Sequence, residues 1–215
     1  MKIYQQSVGL MGILVLGAWS AFGAPAGSSQ VSLGAGAAIP TGANGLDNSQ
    51  MIGLMGGARY LYQLTSNVGV GGQFDFSHLP GKTEDIGSAA VDATDNIYTG
   101  EIIGRYSFAP DAAWSPYLVA GVGVARTFQT TLGTPVPGAT WDNTGTAETR
   151  ETDHSSSTGY ALSYGGGVER MLTQGLFCAL EANWNTLGAS RDRIGTSTFN
   201  FPDVSLRLGW QFGGK

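Results

Sequence analysis

A single cysteine, Cys178, in a chain of 215 residues excludes an internal disulfide framework, and no Cys/His spacing suited to zinc occurs. Charge is also scarce: Asp, Glu, Lys and Arg together make up 13%, against about 25% in ordinary globular proteins. What charge there is leans negative, with 16 acids, 11 bases and a net charge of −5. That excludes the basic stripe on which nucleic-acid binding depends, so no nucleic-acid partner is expected. After the N-terminus there is no apolar run near the roughly 20 residues that a membrane helix needs. No stripe of helical period appears there either. The composition is nonetheless not that of a disordered chain, since 42% is hydrophobic. Glycine is abundant, 34 residues, but without the Gly-X-Y period of collagen.

The first 26 residues read as a secretory leader. Met1-Lys2 opens a basic segment and Val8–Ala18 is apolar. Ala21-Phe22-Gly23 and Ala24-Pro25-Ala26 each supply small residues for cleavage, expected near residue 23 or 26. No cysteine follows to carry a lipid anchor. The domain then comprises residues 27–215.

That domain alternates with period two, the mark of strands with one face apolar. Val204, Leu206, Leu208, Trp210 and Phe212 alternate with Ser205, Arg207, Gly209 and Gln211. The same holds for Val68–Phe76, Tyr117–Val124 and Cys178–Asn185, and more weakly over 30–39, 51–63, 96–108 and 158–172. Eight strands result. Their connections alternate: 64–67, 109–114 and 172–175 are short, whereas 40–50, 79–95, 129–157 and 186–198 are long, polar and rich in Gly, Thr, Ser and Asp. Short turns on one side and four long external loops on the other describe an up-and-down barrel crossing a membrane. An even strand number puts both termini on the periplasmic side.

Aromatic residues choose which face meets lipid. Tyr60, Tyr62, Tyr106, Phe108, Trp210 and Phe212 cluster at the short-turn ends; Phe76, Tyr98, Tyr160 and Trp184 lie near the other ends. Two girdles of amphipathic rings are expected at the two headgroup levels. The opposite face carries Arg59, Asp75, Glu101, Arg105, Glu169, Glu181 and Arg207. A soluble barrel would carry far more charge on its outer face, so these seven are expected inside the lumen. The expected network pairs Arg207 with Glu181 and Arg59 with Asp75 on adjacent strands, and places Glu101 and Arg105 on one face of one strand. Near-balance of charge is what a low-dielectric interior requires.

The stretches PYLVAGVGVA (116–125), YGGGVERML (164–172) and VSLRLGWQF (204–212) resemble the small eight-stranded outer-membrane β-barrel family, which includes the OmpA transmembrane domain, OmpX and the opacity proteins. The resemblance spans about residues 28–212. It implies an all-β, eight-stranded antiparallel transmembrane barrel in the cell outer membrane. It also implies that Phe212 is the terminal aromatic read by the barrel-assembly machinery, although Gly213-Gly214-Lys215 follow it.

Candidate chemistry is sparse. Gly165-Gly166-Gly167 and Gly121-Val122-Gly123 open no helix, so they are not phosphate-cradling loops; glycine there gives strands room to bend. His154 and Ser156 resemble the His-x-Ser pair of outer-membrane lipid A deacylases. Glu169, the nearest later acid, has opposite parity and lies roughly 40 Å along an extended strand, and Ser157 stands where that family has Asn. Cys178 has the parity of the lipid face, and His78 sits at a strand tip. Loop acids and bases (Lys82, Glu84, Asp85, Asp92 and Asp95; Asp142, Glu148, Arg150, Glu151 and Asp153) show no fixed calcium spacing and are expected in solvated loops. No catalysis, cofactor or metal is expected. The partners expected are outer-membrane lipid and lipopolysaccharide, the assembly machinery, and host or surface ligands at the loops, with the protein a monomer. Two functions follow from this: a structural or surface-interaction barrel, or a small pore, which eight strands leave little room for.

Overall fold

The computed structural model describes residues 24–41, 51–81, 84–85, 89–135, 150–191 and 195–214. Among them there is no helix; the chain is a single antiparallel sheet. Its strands are β1 (Ser28–Ala38), β2 (Gly53–Gln63), β3 (Val68–Leu79), β4 (Glu84–Asp85), β5 (Ala89–Ser107), β6 (Ser115–Pro135), β7 (Arg150–Met171), β8 (Leu176–Arg191) and β9 (Gly195–Gly213). Neighbours in sequence pair except β3 and β4, β9 returns to β1, and β3 pairs with β5, so eight strands close into a barrel. The two-residue β4 is an extra rung on β5.

The register fixes the barrel's shape. Following paired residues around from Gln63 leads through Gly69, Arg105, Val119, Gly165, Asn183, Asp203 and Ala38 to Gly53. One circuit returns to β2 ten residues from where it began (63 to 53), a shear of ten. Shear and strand number together set the tilt, about 35–45° in such barrels. Residues facing each other across the lumen are therefore staggered far apart in sequence.

The short turns lie at one end. In 64–67 the Thr65 hydroxyl accepts from the backbone N–H of Asn67 at 3.2 Å and of Val68 at 3.0 Å, and Asn67 Nδ2 donates to the Ser107 carbonyl at 2.8 Å. Gly175, at φ 95°, supplies the left-handed residue that closes 172–175.

At the other end the strands run on. β5 and β6 continue their ladder to Ala89↔Pro135, β7 pairs with β6 down to Arg150, and β8 with β9 up to Arg191↔Gly195. Much of 79–95, 129–157 and 186–198, expected as loop, is therefore strand; the fourth long loop shrinks to the chain between Arg191 and Gly195. The sequence of these extensions is mostly polar, so no alternation marked them, while β-branched Thr and continued backbone pairing favour strand. Residues 1–23, Lys82, Asp142 and Glu148 lie outside the described residues, as do the side chains of Glu84, Asp85, Asp92, Arg150, Glu151 and Asp153.

Candidate functional site: a closed, charged lumen

The outward face is apolar over a broad belt: Leu33, Leu54, Ile102, Leu118, Val122, Val124, Leu180, Leu206 and Leu208 are all exposed. On a soluble protein so continuous an apolar surface is untenable; in a bilayer it is the required solvent contact. Tyr60, Tyr62, Tyr106, Phe108, Trp210 and Phe212 are exposed at the turn end, with Tyr106 against Phe108 at 5.2 Å. At the loop end Tyr98 and Tyr160 are exposed and Phe76 and Trp184 half-buried, with Phe76 packed at a tilt against Tyr98, 4.9 Å between centroids. Cys178 is half-buried on the outward side, between inward Phe177 and Ala179.

All seven expected lumen charges, Arg59, Asp75, Glu101, Arg105, Glu169, Glu181 and Arg207, are buried inside the barrel. Glu181 is the hub. Arg59 donates to it twice, Nη1 to Oε2 at 2.6 Å and Nη2 to Oε1 at 2.7 Å. Arg207 Nε reaches Oε1 at 3.2 Å, the Tyr117 hydroxyl donates to Oε2 at 2.8 Å, and Asn183 Nδ2 to Oε1 at 2.8 Å. The expected Arg207–Glu181 contact is thus present. Arg59 instead crosses the lumen to Glu181, leaving Asp75 to Arg207 Nη2 at 3.4 Å. Gln73 bridges the two, accepting from Arg59 Nε at 2.6 Å and donating to Asp75. Glu101 and Arg105 do not meet either. Arg105 donates to Glu169 Oε2 at 2.6 Å and lies over the Tyr117 ring at 4.0 Å, while Glu101 accepts from Ser163 at 2.6 Å. The reason is the shear: the nearest opposite charge in space lies across the tilted lumen, not beside it on the neighbouring strand.

Sequence reasoning missed half of the network. Gln73, Tyr117, Ser163, Asn183 and Asp203 are inward and buried; all but Tyr117, whose strand carries no recognised charge, share the parity of a recognised charge on their strand. Asp203 is held by amides, from Asn185 at 2.6 Å and Asn183 at 3.3 Å. Asp95, expected in a solvated loop, is 1% exposed and faces inward. Inward glycine provides the space: a Cβ on Gly121 would stand 2.8 Å from Glu101 Oε2 and 2.7 Å from Ser163 Oγ.

Apolar layers flank the charges. Leu61, Ile103, Tyr117, Val119 and Ala179 pack together on the turn side, and Ala38, Leu79, Ile97, Leu187, Phe199 and Phe201 on the loop side. Between Arg59, Arg105, Tyr117, Glu169 and Arg207 a void of about 10 Å³ remains, about the room one water needs. Ser205, 1% exposed, belongs to this packed interior; the lumen is filled there, so it is not a wet site that would accept a new charge cheaply. His154 and Ser156 both lie on the outward side and Glu169 inside, bonded to Arg105, so no His–Ser–Glu constellation forms. Among the described residues no group of His, Cys, Asp and Glu is arranged to hold a metal.

Residues 11–212 match the model of the outer membrane protein beta-barrel domain. The chain belongs to that family. Its barrel is similar in fold to Neisserial surface protein A, with TM-score 0.54, 14% identity and coverage of 87% of this chain and 98% of that one. It is also similar to OprG of Pseudomonas aeruginosa, with TM-score 0.50, 14% identity, and 89% and 99% covered. The attachment invasion locus protein Ail of Yersinia pestis matches at TM-score 0.48 and 13% identity, with 87% and 99% covered. No curated protein matches the sequence. Family and neighbours place this barrel in the outer membrane.

Proposed function

We propose that this outer-membrane barrel is a structural, surface-displaying protein, held by its apolar belt and presenting the polar continuation of β5–β9 for adhesion or shielding. The observation that carries this is the filled lumen. Two apolar layers and a cross-linked charge network leave about 10 Å³ of void among the charges, so passage of solutes is not what the geometry supports. The loop-end strands instead build a raised polar sheet, and exposed surface segments on a rigid scaffold are where recognition concentrates. On this reading lipid and lipopolysaccharide surround the belt, the assembly machinery reads Phe212, and host or surface ligands meet the loop end. One chain closes the barrel, so a monomer suffices.

The test compares cells displaying the full chain with cells displaying a variant lacking 136–149, on immobilised matrix and serum proteins. Binding that depends on that segment supports the reading; equal binding by both, at the level of cells without the protein, overturns it. Planar-bilayer recording of the purified barrel decides the second reading. Little or no steady conductance is expected, and a large, stable conductance would establish the small pore instead.

A further inference from the structure

The arginines of this barrel are used unequally. Arg59, Arg105 and Arg207 each sit against a buried carboxylate. Arg126 does not: it is exposed on the outward side of β6, and no acceptor or carboxylate reaches it among the described residues. Its guanidinium lies over the Phe128 ring, 4.8 Å from the centroid. Phe128 meets Tyr98 edge-on at 5.8 Å and 90°, and Tyr98 packs on Phe76 at 4.9 Å. This row of rings belongs to the loop-end girdle. It holds the cation over a ring face, and a guanidinium so held still has N–H donors to offer in its plane.

Polar residues occupy the neighbouring register positions. Thr158 on β7 stands opposite Arg126, and Ser156 stands opposite Phe128. One step further out Thr130 and His154 pair at 3.4 Å. On the β3–β5 side His78 and Asn96 pair at 2.8 Å. The described side chains of this patch include no carboxylate. A snorkelling arginine needs only water at its head; a ring-clamped guanidinium with hydroxyl and amide residues at the neighbouring register positions has the makings of an oxyanion site. Arginine recognises phosphate through paired, charge-assisted hydrogen bonds.

We propose that this patch, centred on Arg126, binds the phosphate of a phosphorylated glycolipid headgroup of the outer leaflet. The proposal rests on the reading above that the loop end faces outward. A headgroup is favoured over a soluble anion because Arg126 sits within an aromatic girdle at headgroup level, beside apolar surface that hydrocarbon covers.

The test uses the mature full-length barrel folded in neutral detergent, with bisphosphorylated lipid A and its dephosphorylated form as probes and bound lipid counted by native mass spectrometry. Arg126→Gln and Arg126→Lys are compared with Arg170→Gln, which removes the arginine lying over Trp114 at the turn end, 5.0 Å from its ring. Wild type and Arg170→Gln should prefer the phosphorylated lipid on the order of tenfold, the worth of one charge-assisted contact. Arg126→Gln should lose that preference and Arg126→Lys keep part of it. No preference in wild type, or full preference in Arg126→Gln, overturns the site. Displacement by equimolar inorganic phosphate or by a soluble sulfated glycan overturns the lipid assignment. Folding is read separately by heat-modifiable migration: if wild type itself fails to fold in detergent, the barrel reading has failed; if it folds without a phosphate preference, only this site has.

Discussion

Removing the Glu181 carboxylate should be the most damaging single change in the lumen. Its side chain is 0% exposed and accepts five hydrogen bonds, from Arg59 twice, Arg207, Tyr117 and Asn183. In Glu181→Ala the Arg59 guanidinium, 3% exposed, keeps only Gln73 as an acceptor. Arg207 keeps only the 3.4 Å contact to Asp75. Stripping the partner from a buried ion costs about 3–5 kcal/mol, and here two cations share the loss, so the upper half of that range is expected. Arg207→Ala should cost less. It breaks contacts of 3.2 and 3.4 Å, while Glu181 retains the Arg59 fork and Asp75 retains Gln73. Charge-assisted hydrogen bonds contribute about 1.5–3 kcal/mol each, and two long ones, each near the bottom of that range, place Arg207→Ala at about 3 kcal/mol. The assay is urea unfolding of barrels folded into lipid vesicles, followed by tryptophan fluorescence and by migration of unboiled samples. Should Arg207→Ala cost as much as Glu181→Ala, or Glu181→Ala fall within about 1 kcal/mol of wild type, the hub does not exist and the lumen charges are merely hydrated. A double-mutant cycle of Arg59→Ala with Glu181→Ala should return a coupling of at least about 1 kcal/mol, as residues in one network do.

Unboiled wild-type protein should migrate differently from boiled protein in SDS gels, because a closed ladder with no unpaired edge in the bilayer resists the detergent; identical migration, with recovery in the soluble periplasm, would remove the membrane reading. Leu208→Arg, outward and paired with Leu33 and Cys178, should destabilise the barrel by about 2–4 kcal/mol near the midplane, whereas Leu64→Arg in the exposed turn should fall near 0–1 kcal/mol; equal costs in vesicle unfolding would contradict the placement of the belt. Gly121→Ala should cost about 1–3 kcal/mol by pushing Glu101 and Ser163 apart. Gly104→Ala, where an added Cβ meets nothing within 4 Å, should be neutral or stabilising by up to about 1 kcal/mol; the reverse order in the same unfolding assay would mean that the inward and outward glycines had been confused.

The belt, the strand number and the inward set of charges were legible because a membrane barrel imposes a strict period of two: Leu206 and Leu208 must differ in solvent from Ser205 and Arg207. That period ends where lipid ends. Beyond Phe128 and Tyr160 the sequence of β6 and β7 turns mostly polar, and Thr130–Pro135 and Arg150–Thr158 carry no contrast by which their pairing could be read. Asp95 was lost in the same way, since its neighbours at the strand's polar end conceal that it points inward. Tyr117, Gln73 and Asn183 had the correct parity, but a search for charge passes over the neutral donors that complete a buried network.

Parity says which side chains enter the lumen, but partner choice depends on the shear. Two residues opposite each other in a ladder, such as Ser205 and Glu181, share a level on neighbouring strands. Arg59 is 122 positions from Glu181 and shares no ladder with it, yet forks onto it with two hydrogen bonds. A shear of ten around eight strands raises the register more than one residue per strand, so a long side chain leaning across the axis meets a level far from its own ladder neighbours. Short side chains such as Asp75 cannot lean so far and take help from Gln73 on their own strand. The lumen is thus closed by length matching: arginines span, carboxylates receive, and amides fill the intervals. A lumen closed by contacts that run across the axis opposes ovalisation of the barrel as well as the passage of solute. That is a second reason to assign its charges to structure and to look for recognition on the outer face and at the loop end.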